Sequence, residues 1–142
     1  MSHYDTYCGL YCGACLCNIA RETDSLEEFM QLTGRTAEQL TCPDCKIANH
    51  QDCSFVACCM AKGIDNCSEC SDMPCDEMIK FSSQEKYPHL RQMVSNLERI
   101  REIGLPAWLD EKKKEFTCPQ CGARLGWAFQ ECRKCGSNIS FR

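Results

Sequence analysis

Sixteen cysteines lie among 142 residues, and their spacing is the chemistry this chain offers. Near the carboxyl end the order is Cys118-Pro-Gln-Cys121-Gly, then Cys132-Arg-Lys-Cys135-Gly. A Cys-x2-Cys turn aims backbone amides at its sulfurs, and glycine permits the backbone turn after the second one. Two such knuckles supply four thiolates in a tetrahedral shell, the donor set that zinc takes in structural sites. All four sulfurs are then used, so no position stays open for catalysis. The segment between the knuckles, Ala123 to Gln130, has the length of a short hairpin, which predicts a small β zinc ribbon.

The other twelve cysteines are 8, 12, 15, 17, 42, 45, 53, 58, 59, 67, 70 and 75. Cys8, Cys12 and Cys15 form Cys-x3-Cys-x2-Cys, the string by which radical SAM enzymes hold a 4Fe-4S cluster. Those enzymes need a large barrel, which 142 residues crowded with further thiols do not supply. The ferredoxin run Cys-x2-Cys-x2-Cys-x3-Cys-Pro is absent, and knuckles such as Cys42-Pro-Asp-Cys45 favour zinc. Zinc, three or four ions in all, is therefore the expected cofactor, with a 4Fe-4S cluster in the N-terminal region as the alternative. The expected grouping joins Cys8, Cys12 or Cys15 to Cys42 and Cys45. A second site takes Cys67, Cys70 and Cys75 with Cys53 or Cys58. Spacing leaves interleaved pairings open. Cys17 and Cys59 sit beside better-placed ligands and are left as free thiols, with buried small-hydrophobe behaviour as the plain account of them. His50 reads as a surface residue of an Asn49-Asp52 loop. Tyr4, Tyr7 and Tyr11 read as local packing around the first knuckle. No Ser-His-Asp set, phosphate loop or carboxylate pair rises above background, so the expectation leans away from an enzyme.

The elements that must position these sulfurs are short. Ser25 with Glu28 has the form of a capping box ahead of Leu26, Phe29 and Met30, and Gly34 stops that helix. Thr36 with Gln39 looks like a second short start. A further helix is expected from Ser54 to Lys62, stopped by Gly63. Leu90, Met93, Val94, Leu97, Ile100 and Ile103 recur at three- and four-residue steps, which predicts an amphipathic helix over 88–103 ended by Gly104. Its apolar stripe reads as contact with the cysteine-rich region, while a protein partner of unstated identity is the lesser reading. Pro106 can take the first position of one more helix. The fold class is therefore mainly α: a small, metal-stabilised, cysteine-rich domain with little regular sheet, plus the small β ribbon. The expected domains are 1–80, cysteine-rich and metal-binding; 81–117, a helical segment packing on it; and 118–142, the ribbon.

Composition sets the outer limits. Hydrophobic residues are 44% and charged ones 25%, which argues against wholesale disorder. Cysteine at roughly 11% exceeds the ~8–10% that marks a scaffold held by its sulfurs. The opening MSHYDTYCGLYCGAC lacks a basic segment followed by an apolar one, so it is not read as a signal peptide. No run of 18 apolar residues predicts a membrane span. A cytoplasmic setting with reduced thiols is expected, which makes metal ligation the first meaning of the cysteine pairs. Residues 1–75 carry four Lys/Arg and eleven Asp/Glu, and metal-bound thiolates would add negative charge. Such a surface repels phosphates, so nucleic acid is not an expected partner.

Three stretches together carry a resemblance. Tyr7-Cys-Gly-Leu-Tyr-Cys-Gly-Ala-Cys15, the Cys42-Pro-Asp-Cys45 knuckle and Lys62-Gly-Ile-Asp-Asn-Cys-Ser-Glu-Cys-Ser-Asp-Met-Pro-Cys75 resemble a prokaryotic family filed as domain of unknown function thirty-seven ninety-five. Glu102-Ile-Gly-Leu-Pro-Ala-Trp-Leu109 leading into Cys118 is similar to longer members that end in a zinc ribbon. The resemblance implies a small cysteine-rich, metal-binding cytoplasmic protein without an assigned reaction. Carried over by motif are Cys8, Cys12, Cys15, Cys42, Cys45, Cys53, Cys58, Cys67, Cys70 and Cys75. Met73 stands where Phe is expected before Pro-Cys, a harmless change if that side chain only packs. The expected function is a zinc-binding structural or interaction module, the alternative an iron–sulfur protein in electron transfer or accessory to a redox enzyme.

Overall fold

A computed structural model of the chain describes residues 4–41, 45–48, 52–127 and 129–139. Among these the regular structure is helical. The helices are α1 (Leu16–Glu22), α2 (Leu26–Thr33), α3 (Cys45–Ala48), α4 (Ser54–Lys62), α5 (Asp76–Ser82), α6 (Met93–Ile103) and α7 (Leu105–Glu115). Short 3-10 turns cover Cys12–Ala14, Cys67–Glu69 and Pro88–Gln92. The mainly helical, cysteine-rich class is as expected. No described helix is long and apolar enough to cross a membrane.

The chain forms two compact units, each discontinuous in sequence. One comprises Met1–Tyr11 and Asp44–Asp110, the other Cys12–Pro43 and Glu111–Arg142. In the first unit the expected stripe is buried, with Leu90 in the 3-10 turn Pro88–Gln92 and Met93, Leu97 and Ile100 on α6, so the α-helix expected from residue 88 begins at Met93. Gly104 follows as its C-cap, and Pro106 lies at the start of α7. The stripe packs on the cysteine-rich segment, as the sequence suggests. Asn96 Nδ2 donates to the Gly9 carbonyl at 2.9 Å. Arg101 reaches across to the Ser68 and Cys70 carbonyls. Tyr11 stands edge-on to both Tyr4 and Trp108, with ring centroids 5.6 and 6.1 Å away. Met73 is buried, consistent with a purely packing role.

The second unit has its own core of Ile19, Ala20, Phe29 and Leu40, with Leu26, Met30 and Phe129 against it. Helix α2 ends as expected at Gly34, whose φ of 69° is left-handed. The capping box at its start does not form. Ser25 makes no side-chain cap bond, and Glu28 pairs with Arg133 instead. The reciprocal pattern occurs one step later: Thr36 N donates to Gln39 Oε1 at 2.9 Å, and Gln39 N to Thr36 Oγ1 at 3.2 Å. It closes a turn and not a helix. Helix α4 spans the expected residues and stops at Gly63.

The expected hairpin between the C-terminal knuckles is absent among the described residues. Its backbone is committed elsewhere: Trp127 N donates to Ala14 O at 3.1 Å and Phe129 N to Gly126 O at 3.1 Å. The only strand-like pairings described are two isolated antiparallel bridges, Thr117 with Arg124 and Glu131 with Asn138. Each spans one knuckle, and neither joins one knuckle to the other.

The seat of α6 depends on Gly9. Its φ is +89°, and a Cβ there would stand 2.7 Å from Leu97 Cγ and 3.0 Å from the Met93 carbonyl. Gly63 has a φ of +66° with nothing within 4 Å. Gly9→Ala should therefore cost about 2–4 kcal/mol, combining left-handed strain with overpacking. Gly63→Ala should cost only about 1–2 kcal/mol, from strain alone. Denaturant unfolding of the two variants reads this order, and equal losses would contradict it.

Candidate metal centre

The C-terminal knuckles are built alike, residue for residue, at an offset of fourteen positions (118 to 132). Cys118 N donates to Ala123 O, and Cys132 N to Ser137 O, both at 2.8 Å. Gly122 N donates to Cys118 O at 2.9 Å and Gly136 N to Cys132 O at 2.8 Å. Leu125 N reaches Phe116 O, and Ile139 N reaches Gln130 O. The two isolated bridges and the left-handed glycines obey the same offset, with φ of 76° at Gly122 and 75° at Gly136. The local sequence Cys-x2-Cys-Gly thus writes one turn twice.

The result is four sulfurs drawn together. Cys118, Cys121, Cys132 and Cys135 place their Sγ atoms within 4.8 Å of one another, an arrangement that could hold a metal ion. Cys118 lies 3.7 Å from Cys135, and Cys121 3.5 Å from Cys132, sulfur to sulfur. Cys118 and Cys132 are buried, while Cys135 is exposed. Among the described residues no other group of three or more such ligands converges this closely.

Four thiols so close cannot all ionise on their own. The Ala123 amide favours the Cys121 thiolate, but desolvation and the sulfurs of Cys132, Cys135 and Cys118 outweigh it, pushing the thiol up to about 12. Cys135 is lowered to about 6, first by the Ser137 hydroxyl, 3.1 Å away, and then by the Ser137 amide. Cys132 is also lowered, chiefly by the Cys135 amide. The knuckle amides therefore stabilise negative charge on some sulfurs while the crowding leaves a proton on another. This is the electrostatic demand that a cation meets.

The remaining candidates divide between the units. Cys12 and Cys15 belong to the second unit, where Cys15 N donates to Cys12 O at 3.1 Å. Cys15 is lowered to about 6, first by the Cys17 thiol and then by amides at the start of α1, against the cost of desolvation. Cys17 is thus a neighbour of Cys15, and its own thiol lies 3.9 Å from the Gln39 carbonyl. Cys8, Cys45, Cys53, Cys58, Cys67, Cys70 and Cys75 belong to the first unit. Burial pushes Cys8 up to about 11, and Cys45 and Cys53 add to it. Cys53 and Cys75 precede α4 and α5 as N-caps without a side-chain cap bond. Cys42, His50 and His3 lie outside the described residues, so the expected Cys42/Cys45 knuckle does too.

Some neighbours carry no signal in cysteine spacing. Ser137 supports Cys135 and is simply the residue after Gly136. Arg133 pairs with Glu28 and lies over the stacked Phe29 and Phe129 rings. Arg124 pairs with Glu22 and reaches the Gly13 carbonyl. These long-range contacts tie the knuckles to α1 and α2 within the second unit.

Helices, turns and sulfurs together define a cysteine-rich, mainly helical protein with a four-thiol group able to bind metal. The chain belongs to the family described as protein of unknown function (DUF3795), whose model matches residues 4–80, more than half of its length. No curated protein and no solved structure matches it.

The fourteen-residue equivalence has a measurable consequence. Neither Gly122 nor Gly136 has an atom within 4 Å of where a Cβ would stand, so alanine at either adds only left-handed strain. Each substitution should weaken metal binding by about 1–2 kcal/mol, roughly 5–30-fold. The two losses should match within a factor of three. Competition against a chromophoric chelator checks both, and a large asymmetry would show that the half-sites are not equivalent.

Proposed function

We propose that this chain is a zinc-binding module with a structural or interaction role, its C-terminal residues 118–142 forming a zinc-held ribbon. The observation carrying this reading is the pair of sulfur separations, 3.7 and 3.5 Å. A tetrahedral ion with Zn–S bonds of about 2.3 Å has sulfur–sulfur edges of about 3.8 Å. A four-iron cube inserts several atoms between its thiolates and needs a wider shell. The amide-rich knuckles supply charge compensation, and a closed four-thiolate shell leaves no open position for a substrate. The proposed metal-binding region is 1–80, which the family model covers from residue 4, with Cys8, Cys12, Cys15, Cys42, Cys45, Cys53, Cys58, Cys67, Cys70 and Cys75 as its ligand pool. Residues 81–117 are then the helical segment between the two. Reduced thiols of this kind suit the cytoplasm.

In this role the ion supplies cross-linking free energy and no reaction step. Cys118 and Cys132 hold it from the buried side, and Cys121 and Cys135 from the open side. Ser137 donates its hydroxyl and amide to the Cys135 sulfur and keeps that thiolate charged.

Zinc, iron and sulfide per chain, measured after purification without oxygen, test the reading. Zinc without sulfide is expected, and Cys121→Ser with Cys132→Ser should remove one ion. Stoichiometric iron and sulfide that this double variant abolishes would overturn it. Proton counts give a second check. Cys121, raised to about 12, is protonated at pH 7 and must lose its proton on loading. Calorimetry in two buffers should show at least one proton released per ribbon ion. The depressed Cys135 acts in the other direction: its favourable term is complete above the ordinary thiol range and is lost as pH falls through about 6. Metal retention should therefore hold at pH 7 and decline below about pH 6.

A further inference from the structure

We propose that a cleft in the second unit binds an acidic peptide segment carrying one bulky apolar side chain. The inference rests on the interaction role above and deepens it by naming the class of partner. The cleft has a volume of about 520 Å³ and lies between the α1–α2 turn and the C-terminal knuckles. That is within the ~300–1,000 Å³ of ligand-binding pockets. Its floor is apolar: Ile19 and Phe29 are buried and Phe129 is half-buried. The Phe29 and Phe129 rings stack with centroids 6.1 Å apart and planes 10° from parallel. On the knuckle side, nothing stands within 4 Å of where a Gly122 Cβ would be, so that wall leaves the space open.

The rim supplies the charge. Arg124, Arg133 and Lys134 line the cleft against a single carboxylate, Glu28. Arg124 is committed to Glu22 and the Gly13 carbonyl. Arg133 spends one end of its guanidinium on Glu28 and lies over both phenyl rings, which fixes it at the edge of the floor. Lys134 is exposed and makes no hydrogen bond or ion pair among the described residues. An unspent ammonium and a partly used guanidinium beside an apolar floor complement carboxylates that flank an apolar group. Thr23, Glu28, Arg133 and Lys134 are all exposed, so the cleft is open to solvent along its rim. Small-molecule sites enclose most of their ligand. An open cleft with an apolar anchor point and a charged rim suits a segment of a larger partner.

Fluorescence anisotropy of a dye-labelled Glu-Glu-Phe-Glu peptide, titrated with the full chain purified without oxygen, tests the assignment. Saturable binding that weakens with added salt is expected. A Gln-Gln-Phe-Gln peptide, a Glu-Glu-Gly-Glu peptide and free phenylpropionate should each compete at least about tenfold more weakly. Ser25→Trp, a change outside the knuckles that fills the cleft, should abolish binding, and Lys134→Glu should weaken it about tenfold. Equal binding of the Glu and Gln peptides, full binding by Ser25→Trp, or tighter binding of phenylpropionate than of the peptide would overturn the proposal. Backbone amide shifts of the unsubstituted chain give a reading that needs no variant. The peptide should move the amides of Thr23, Ser25, Ala123 and Lys134; a response confined to other residues, or none, excludes the site. Metal counts on the same sample keep the two readings apart. Peptide binding by a chain that holds no zinc sinks the zinc reading and leaves this one, whereas bound zinc without peptide binding does the reverse.

Discussion

Repulsion between neighbouring thiolates governs this molecule. Two short turns bring four sulfurs within 4.8 Å, a separation at which negative charges cannot coexist without compensation. Protons can provide it, as the raised Cys121 shows, and so can a cation. Backbone amides reduce the demand by solvating individual sulfurs, which is why Cys132 and Cys135 move opposite to Cys121. The turns, the glycines after them and the serine beside Cys135 all serve this one electrostatic problem.

Away from the sulfurs the chain relies on ordinary packing. Leu97 and Trp108 are fully buried in the first unit, and Leu40 and Leu125 in the second. Aromatic contacts at Tyr11 and Phe29 supplement them. The division of labour matches the composition. Residues 76–117 contain no cysteine and are built as amphipathic helix, whereas the cysteine-dense stretches contain short helices and turns. A turn of three or four residues buries too little surface to hold itself.

What could be read in advance follows the range of each interaction. Glycine stops at 34, 63 and 104 depend on neighbouring residues alone, and all three fall where the pattern puts them. The stripe from Leu90 to Ile100 was legible because helical period survives any tertiary context. The Ser25–Glu28 box was not, because Arg133, more than a hundred residues away in sequence, takes the glutamate. The hairpin is likewise not seen among the described residues, where the Trp127 amide donates to Ala14. The knuckle sulfurs were legible from spacing, while their partners Ser137 and Arg124 were not. Cys59 is the instructive case. Phe55 and Val56 mark the buried face of α4, and Cys59 lies on it at steps of four and three, while its neighbour Cys58 is exposed.

The duplicated knuckle has a kinetic side. Each copy closes its hydrogen bonds within about ten residues, so either can form without the other. The linker from Cys121 to Cys132 is short, and a short tether keeps two binding halves at an effective concentration on the order of millimolar. An ion taken up by one pair of sulfurs would then meet the second pair intramolecularly. The closure entropy for such a loop is small and grows only slowly with length. Metal-driven assembly of this end of the molecule would be a chelate process, in which the first two bonds are slow to find and the last two quick to follow.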